Sequence, residues 1–230
     1  MDTVDDLVTA VRESLAAAGD PEKAVEMRRY MKSAMPFHGV PKPVRQQVTR
    51  RVFAAHPLPD KESFVAVAEK LWREAEFREE RYVAIDLTGN RPYARWQDTG
   101  LLPLHEEMIV TGAWWDFVDE IAAHRVGPLL RAQPATVEPV MRRWAVDTDL
   151  WRRRTAIICQ LGAKEETDLA LLSFAIEANL DAREFFLRKA IGWALRQYSR
   201  LDPDWVTRFV DTHPGLSPLS VREALKHVPR

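Results

Sequence analysis

One cysteine in 230 residues excludes an internal disulfide framework, and the position of Cys159 between Ile158 and Leu161 reads as a core thiol rather than a nucleophile. No apolar run approaches the roughly 18 residues of a membrane span. The acidic start, Met-Asp-Thr-Val-Asp-Asp-Leu, carries no basic n-region, so a cytoplasmic protein with no membrane partner is expected. Segments of period-two alternation bounded by turn residues are also missing, which argues against strands. Sites for small cofactors are equally scarce. His105-Glu-Glu-Met-Ile lacks the second histidine of a zinc protease motif, and the six histidines show no ligand spacing. There is no Gly-x-Gly-x-x-Gly, no Walker loop and no Gly-x-Ser-x-Gly elbow. No metal and no cofactor are implied, and acyl transfer is disfavoured.

What is present is helical. Apolar residues recur at spacings of three and four, and prolines 21, 36, 57, 103, 134, 203 and 214 fall between the periodic segments. A repeat runs through the second half: Arg154-Thr-Ala-Ile, Arg188-Lys-Ala-Ile and Arg222-Glu-Ala-Leu recur every 34 residues, with looser echoes at Tyr82-Val-Ala-Ile and Glu120-Ile-Ala-Ala. That period suits stacked helical hairpins. The expected fold is all-α: one domain over residues 1–230, an α-solenoid of HEAT-like antiparallel helix pairs with a concave groove. Such a groove favours a long partner over a small ligand.

Formal net charge is -1, so the molecule as a whole does not announce a polyanionic partner. Its charge is uneven, however. Arginines 142, 143, 152, 153 and 154 face only Asp147 and Asp149, and Arg188-Lys189 follows, whereas Asp2, Asp5, Asp6, Glu74, Glu76, Glu79 and Glu80 load the first half with acid. A basic stripe on a neutral protein either binds a polyanion or is a solvated helix face.

Four residues are misplaced for a core. In Gly-Ala-Trp-Trp-Asp-Phe-Val-Asp-Glu, residues 112–120, a helix puts Trp114, Phe117, Val118 and Ile121 on one side as the core stripe. Trp115 and Asp119, four apart, then lie side by side at its margin: either a half-buried aromatic beside a surface acid, or a pair lining the groove. In Phe185–Arg196, residues Phe186, Leu187, Ala190, Ile191, Ala194 and Tyr198 share an apolar arc, and Trp193 stands off it over Lys189. Arg154 errs the other way. It projects among Leu150, Ile157, Ile158 and Leu161, where a guanidinium needs either an internal carboxylate or a phosphate.

With these residues assembled, the sequence resembles the AlkD-like family of DNA alkylation repair glycosylases. The resemblance rests on Met-Arg-Arg-Tyr-Met-Lys and Pro-Phe-His-Gly-Val near the start, Trp-Trp-Asp-Phe-Val-Asp at 114–119, Leu-Trp-Arg-Arg-Arg-Thr-Ala-Ile from 150, Lys-Ala-Ile-Gly-Trp-Ala-Leu-Arg from 189 and Asp-Pro-Asp-Trp-Val from 202. It implies HEAT-like repeats, Asp119 as catalytic aspartate, Trp115 and Trp193 as tryptophans facing the lesion, and Arg154 as a groove arginine. Arg152 and Arg153 depart from the family pattern, which usually has a neutral residue there; their effect is expected on DNA affinity or register.

The resulting expectation is a monomeric glycosylase. It would remove cationic N3- or N7-alkylated purines from double-stranded DNA, with Asp119 acting as an ionised group that needs no raised pKa. Arg154, Arg153, Arg152, Arg188, Lys189 and Tyr30 are taken as DNA contacts, although the stretch from Tyr30 and Lys32 through Pro36–Pro43 could equally cap a helix end. The alternatives are a non-catalytic protein binding branched or distorted DNA and a protein–protein scaffold.

Overall fold

The computed structural model describes residues 3–228, so Asp2 of the acidic start lies outside it. Among the described residues every regular element is helical, as expected, and none is long and apolar enough to cross a membrane. The chain divides into two compact units, Met1–Trp96 and Gln97–Arg230.

The first unit holds α1 (Thr3–Ala17), α2 (Pro21–Met31), α3 (Lys42–Ala55), α4 (Lys61–Arg73), α5 (Arg78–Thr88) and a 3-10 turn, Arg91–Trp96. α1 buries Leu7, Val8, Val11 and Leu15 against α3 and α4, and α4 answers with Phe64, Val67, Ala68, Leu71 and Trp72. That is the three-and-four spacing read from the sequence. α2 buries no residue, and Tyr30 near its end is exposed. The loop after it is tightly held. The buried Glu79 carboxylate accepts the backbone N–H groups of His38, Gly39 and Val40 at 3.1, 2.9 and 3.0 Å. Gly39 sits at φ +83 with the Asp20 carbonyl where a Cβ would go, so only glycine fits. The turn His38–Val40 is thus bound to α5 through Glu79.

The second unit contains a 3-10 turn (Thr99–Leu101), α6 (Leu102–Gly112), α7 (Trp115–Ile121), a π-helical turn (Ala122–Val126) and α8 (Gly127–Ala132). Three helix pairs follow: α9 (Pro134–Ala145) with α10 (Leu150–Ile158), α11 (Leu169–Glu177) with α12 (Phe185–Tyr198), and α13 (Pro203–Thr212) with α14 (Pro218–Ala224). The 34-residue recurrence is the spacing of these pairs, because Arg154, Arg188 and Arg222 sit on α10, α12 and α14. The second helices pack side by side, α10 on α12 and α12 on α14. Every start but that of α12 is marked in the sequence. Asp149, Asp168, Asp202 and Ser217 accept backbone N–H groups of the first turn, and Pro134, Pro203 and Pro218 take the first helical positions, where a missing N–H costs nothing. Buried Asn179 ties successive pairs together, donating from Nδ2 to the carbonyls of Ala145 and Ala175 at 2.9 and 2.8 Å.

The π-turn has a local cause. Pro128 has no N–H to offer the turn before it, and Arg125 donates instead to the His124 carbonyl at 2.9 Å. Gly127 then passes so close to α10 that an added Cβ would lie 2.2 Å from the Cys159 carbonyl oxygen. The turn begins three residues after Asp119, and irregular helix of this kind is frequent at functional sites.

Candidate functional site

The Trp-Trp-Asp-Phe-Val-Asp segment does not form one helix with what precedes it. Ala113, at φ 44, ends α6, and Trp114 is extended at φ -151, so α7 starts at Trp115. Phe117, Val118 and Ile121 are fully buried, as the stripe required, whereas Trp114 is only half-buried. Its ring packs instead on Trp151 and Phe186, at centroid distances of 6.3 and 5.5 Å, and Trp151 lies 5.2 Å from Phe186. These three rings join α7, α10 and α12. The core stripe read from the sequence includes Trp114 and gives Trp151 no role; ring contacts 35, 37 and 72 residues apart leave no local signature.

Against this aromatic cluster stands the central contact of the unit. Arg154 donates from Nε to Asp119 Oδ1 at 2.7 Å and from Nη2 to Oδ2 at 2.8 Å. Its Nη1 donates to the Phe186 carbonyl, and its guanidinium lies over the Phe186 ring, 5.8 Å from the centroid. Arg154 is 3% exposed. Of the two partners open to it, the structure supplies the internal carboxylate, and so buried a side chain is not a surface phosphate contact. The Asp119 side chain keeps 16% exposure against 4% for that of Arg154, so the negative end of this fork-to-fork pair is the end nearer solvent.

That setting perturbs Asp119. Burial pushes its carboxyl above its ordinary value, the hydrogen bonds and charge of Arg154 pull it part of the way back, and Asp116 adds to the rise. The role expected of Asp119 needs no raised pKa, yet the fold imposes one. The reason is tertiary: α10 and α12 close over a residue that α7 alone would leave at its margin.

The other basic residues singled out from the sequence are mostly engaged. Arg152 pairs with Glu106 at 2.9 Å and with Asp147 at 3.3 Å. Arg153 donates to Asn179 Oδ1 at 2.7 Å and pairs with Glu184 at 3.4 Å. Successive residues of a helix point about 100° apart. The three consecutive arginines thus reach α6, the start of α12 and α7 in turn, and act as spokes between helices. Lys189 pairs with Glu223 at 2.7 Å. Arg188 Nε is buried without a hydrogen-bond partner. Trp115 is half-buried one turn before Asp119, and Trp193 is half-buried on α12, two turns beyond Phe186 and on the same face; Phe186 is itself half-buried, so it lies with Trp193 at the margin and not in the apolar arc expected for it. Tyr30 belongs to the first unit.

His105 is buried, neither ring nitrogen has a partner, and desolvation with Arg125 nearby lowers its pKa to about 3, so it stays neutral. Among the described residues no group of three or more His, Cys, Asp or Glu is placed to hold a metal. A cleft of about 270 Å³ opens at the far ends of α10 and α12, between Ile157, Gln160, Leu172, Ala194, Tyr198 and Leu201. None of Trp115, Asp119, Arg154 or Trp193 lines it.

Comparison with known proteins gives a consistent answer. No curated protein matches the chain. Among solved structures it is similar to a predicted DNA alkylation repair enzyme from Enterococcus faecalis, with 33% identity and a TM-score of 0.83 over 92% of this chain and 97% of that one. The family described as DNA alkylation repair enzyme matches residues 11–228. A buried carboxylate gripped by an arginine at the meeting of three helices, in an all-helical chain with this match over nearly its whole length, leads to one assignment: the chain belongs to the DNA alkylation repair enzyme family.

Proposed function

We propose that this chain is a DNA glycosylase that hydrolyses the N-glycosidic bond of cationic N3- or N7-alkylated purines in duplex DNA, acting as a monomer. The observation that carries the proposal is the Asp119–Arg154 pair, which fixes a carboxylate with its negative end outward, one turn from Trp115.

The chemistry asks little of the protein. Alkylation at N3 or N7 makes the purine cationic, so it departs as a neutral base, taking the electrons of the C1'–N bond without needing an acid. Positive charge then grows on the deoxyribose, and a preorganised carboxylate stabilises it. Each Asp119 oxygen accepts one bond from Arg154 and keeps further acceptor capacity, enough to orient a water toward C1'. That water supplies the new C1'–O bond and releases its proton to solvent. Trp115 and Trp193 offer π faces to the cationic sugar and base, contacts worth about 0.5–2 kcal/mol each. Arg154 acts here through Asp119, as its positioning residue. An uncharged lesion such as uracil is a poor substrate in this scheme, because its departure needs an acid.

The experiment is excision from a duplex carrying one N7-methylguanine or N3-methyladenine, scored as abasic sites above the spontaneous rate. Asp119→Asn is expected to lose on the order of 10²-fold in rate while still binding the duplex. Binding without base release by the wild type would favour a recognition protein for distorted DNA. Absence of binding at low salt would leave the scaffold reading.

A further inference from the structure

Trp193 is flanked on its own helix by two cations that share one acid. Lys189 lies four residues before it and Arg196 three after, so all three side chains fall on one face of α12. Glu223 of α14 takes both cations: Oε1 accepts from Lys189 Nζ at 2.7 Å, and Oε2 accepts from Arg196 Nη1. Lys189 and Glu223 are 34 residues apart and occupy the same position in successive repeats, so the pair joins equivalent sites on stacked helices. The two cations hold the Glu223 carboxyl below its ordinary value, Lys189 contributing most.

The backbone, not these charges, puts Glu223 there. Gly192 lets α14 close on α12: a Cβ at residue 192 would lie 2.5 Å from Glu223 Cβ and 2.9 Å from the Ser220 carbonyl oxygen. Ser220 Oγ also donates to the Arg188 carbonyl at 2.9 Å. The carboxylate is therefore held between Lys189 and Arg196, one oxygen to each, in the arrangement that two non-bridging oxygens of a phosphate diester would adopt. Lys189, at 38% side-chain exposure, is open to solvent, while Glu223 at 13% is largely covered.

We propose that Lys189 and Arg196 form a seat for one backbone phosphate beside Trp193, and that Glu223 is a built-in competitor for that seat, weakening the grip on DNA. This rests on duplex DNA being the ligand. With the acid in place the trio carries a net charge of one; a phosphate that displaces Glu223 gains two cations but must uncover a carboxylate. The device lowers affinity for undamaged backbone, so the protein leaves DNA that offers nothing else to hold.

The test measures binding to an undamaged duplex across salt concentrations, and so is independent of excision. Wild-type binding checks the underlying reading, and the variants check the proposal. Glu223→Gln keeps the side chain's size and is expected to tighten binding several-fold at low salt and to steepen the log K against log salt slope by about one. Glu62→Gln, the same charge change on an exposed acid of the first unit, is the control and should move the slope less. Lys189→Met should cost more affinity in the Glu223→Gln background than in the wild type, because the competitor is gone. If Glu223→Gln fails to fold, Glu223→Asp, which withdraws the carboxylate by one methylene, should show the same direction. An unchanged or shallower slope in a folded Glu223 variant, with wild-type binding intact, overturns the proposal.

Discussion

Arg154 holds Asp119 by both carboxylate oxygens, at 2.7 and 2.8 Å, across 35 residues of sequence. Its third donor is spent on the Phe186 carbonyl of α12, so one guanidinium fixes the acid of α7 against two further helices. The consequences of that arrangement are open to measurement.

Removing the fork should cost activity more than binding. Arg154→Met leaves Asp119 buried without its cation, and excision is expected to fall by about 10²-fold as the carboxylate shifts. Arg154→Lys retains the charge without the two-pronged geometry and should recover only part of the rate. Methionine here should also destabilise the fold by about 3 kcal/mol, the lower end for breaking a buried pair, readable by urea denaturation. Equal excision by wild type and Arg154→Met would remove the pair from the mechanism.

The acid limb of the pH–rate profile reports Asp119. Its carboxyl is raised by burial, so activity that needs the ionised form should decline with falling pH at higher pH than an ordinary aspartate would set. Losing the Arg154 charge should move that limb further up. Stability has the opposite sign. Between the unfolded and the raised folded pKa the native state binds more protons, so Asp119's contribution is full below that window and is lost as pH rises through it. Asp119→Asn should lack this slope when unfolding free energy is followed against pH.

Gly127→Ala tests whether the close approach of α8 to α10 positions Arg154. A Cβ 2.2 Å from the Cys159 carbonyl oxygen forces the backbone to move. Overpacking of this kind costs about 1–3 kcal/mol and should lower Tm by roughly 3–10 °C. Excision should fall along with stability, since α10 carries Arg154. A variant with wild-type Tm and rate would show that the helix ends adjust freely.

Glu79→Gln addresses the first unit. Three backbone N–H groups, two of them on buried residues, lose a charged acceptor and meet an amide in its place. A loss of about 2 kcal/mol is expected, with faster hydrogen exchange confined to His38, Gly39 and Val40. Unchanged exchange at those amides would contradict the role given to the carboxylate.

Much of this was legible in the chain. Helical spacing, the prolines and the 34-residue recurrence are features of the chain itself, and they located the three pairs of the second unit. Arg154 stood out because a guanidinium on an apolar face must have an anion, and Trp115 and Asp119 because they sit four apart at the margin of a core stripe. The same reasoning misjudged Trp114, since the left-handed Ala113 breaks the helix just before it. It also took the arginines at 152 and 153 as DNA contacts without seeing their acidic partners, which include Glu106 on α6 and Glu184 at the start of α12.

The sequence by itself determined the all-helical class, the 34-residue pairing of helices and the identity of the unusual residues, because periodicity, capping and polarity act within a few positions of the chain. Only the tertiary structure decided which anion each cation meets. It set Arg154 on Asp119, Lys189 and Arg196 on Glu223, and Arg152 and Arg153 between neighbouring helices. Those choices depend on how closely α7, α10, α12 and α14 approach, which Gly127 and Gly192 control through contacts tens of residues away.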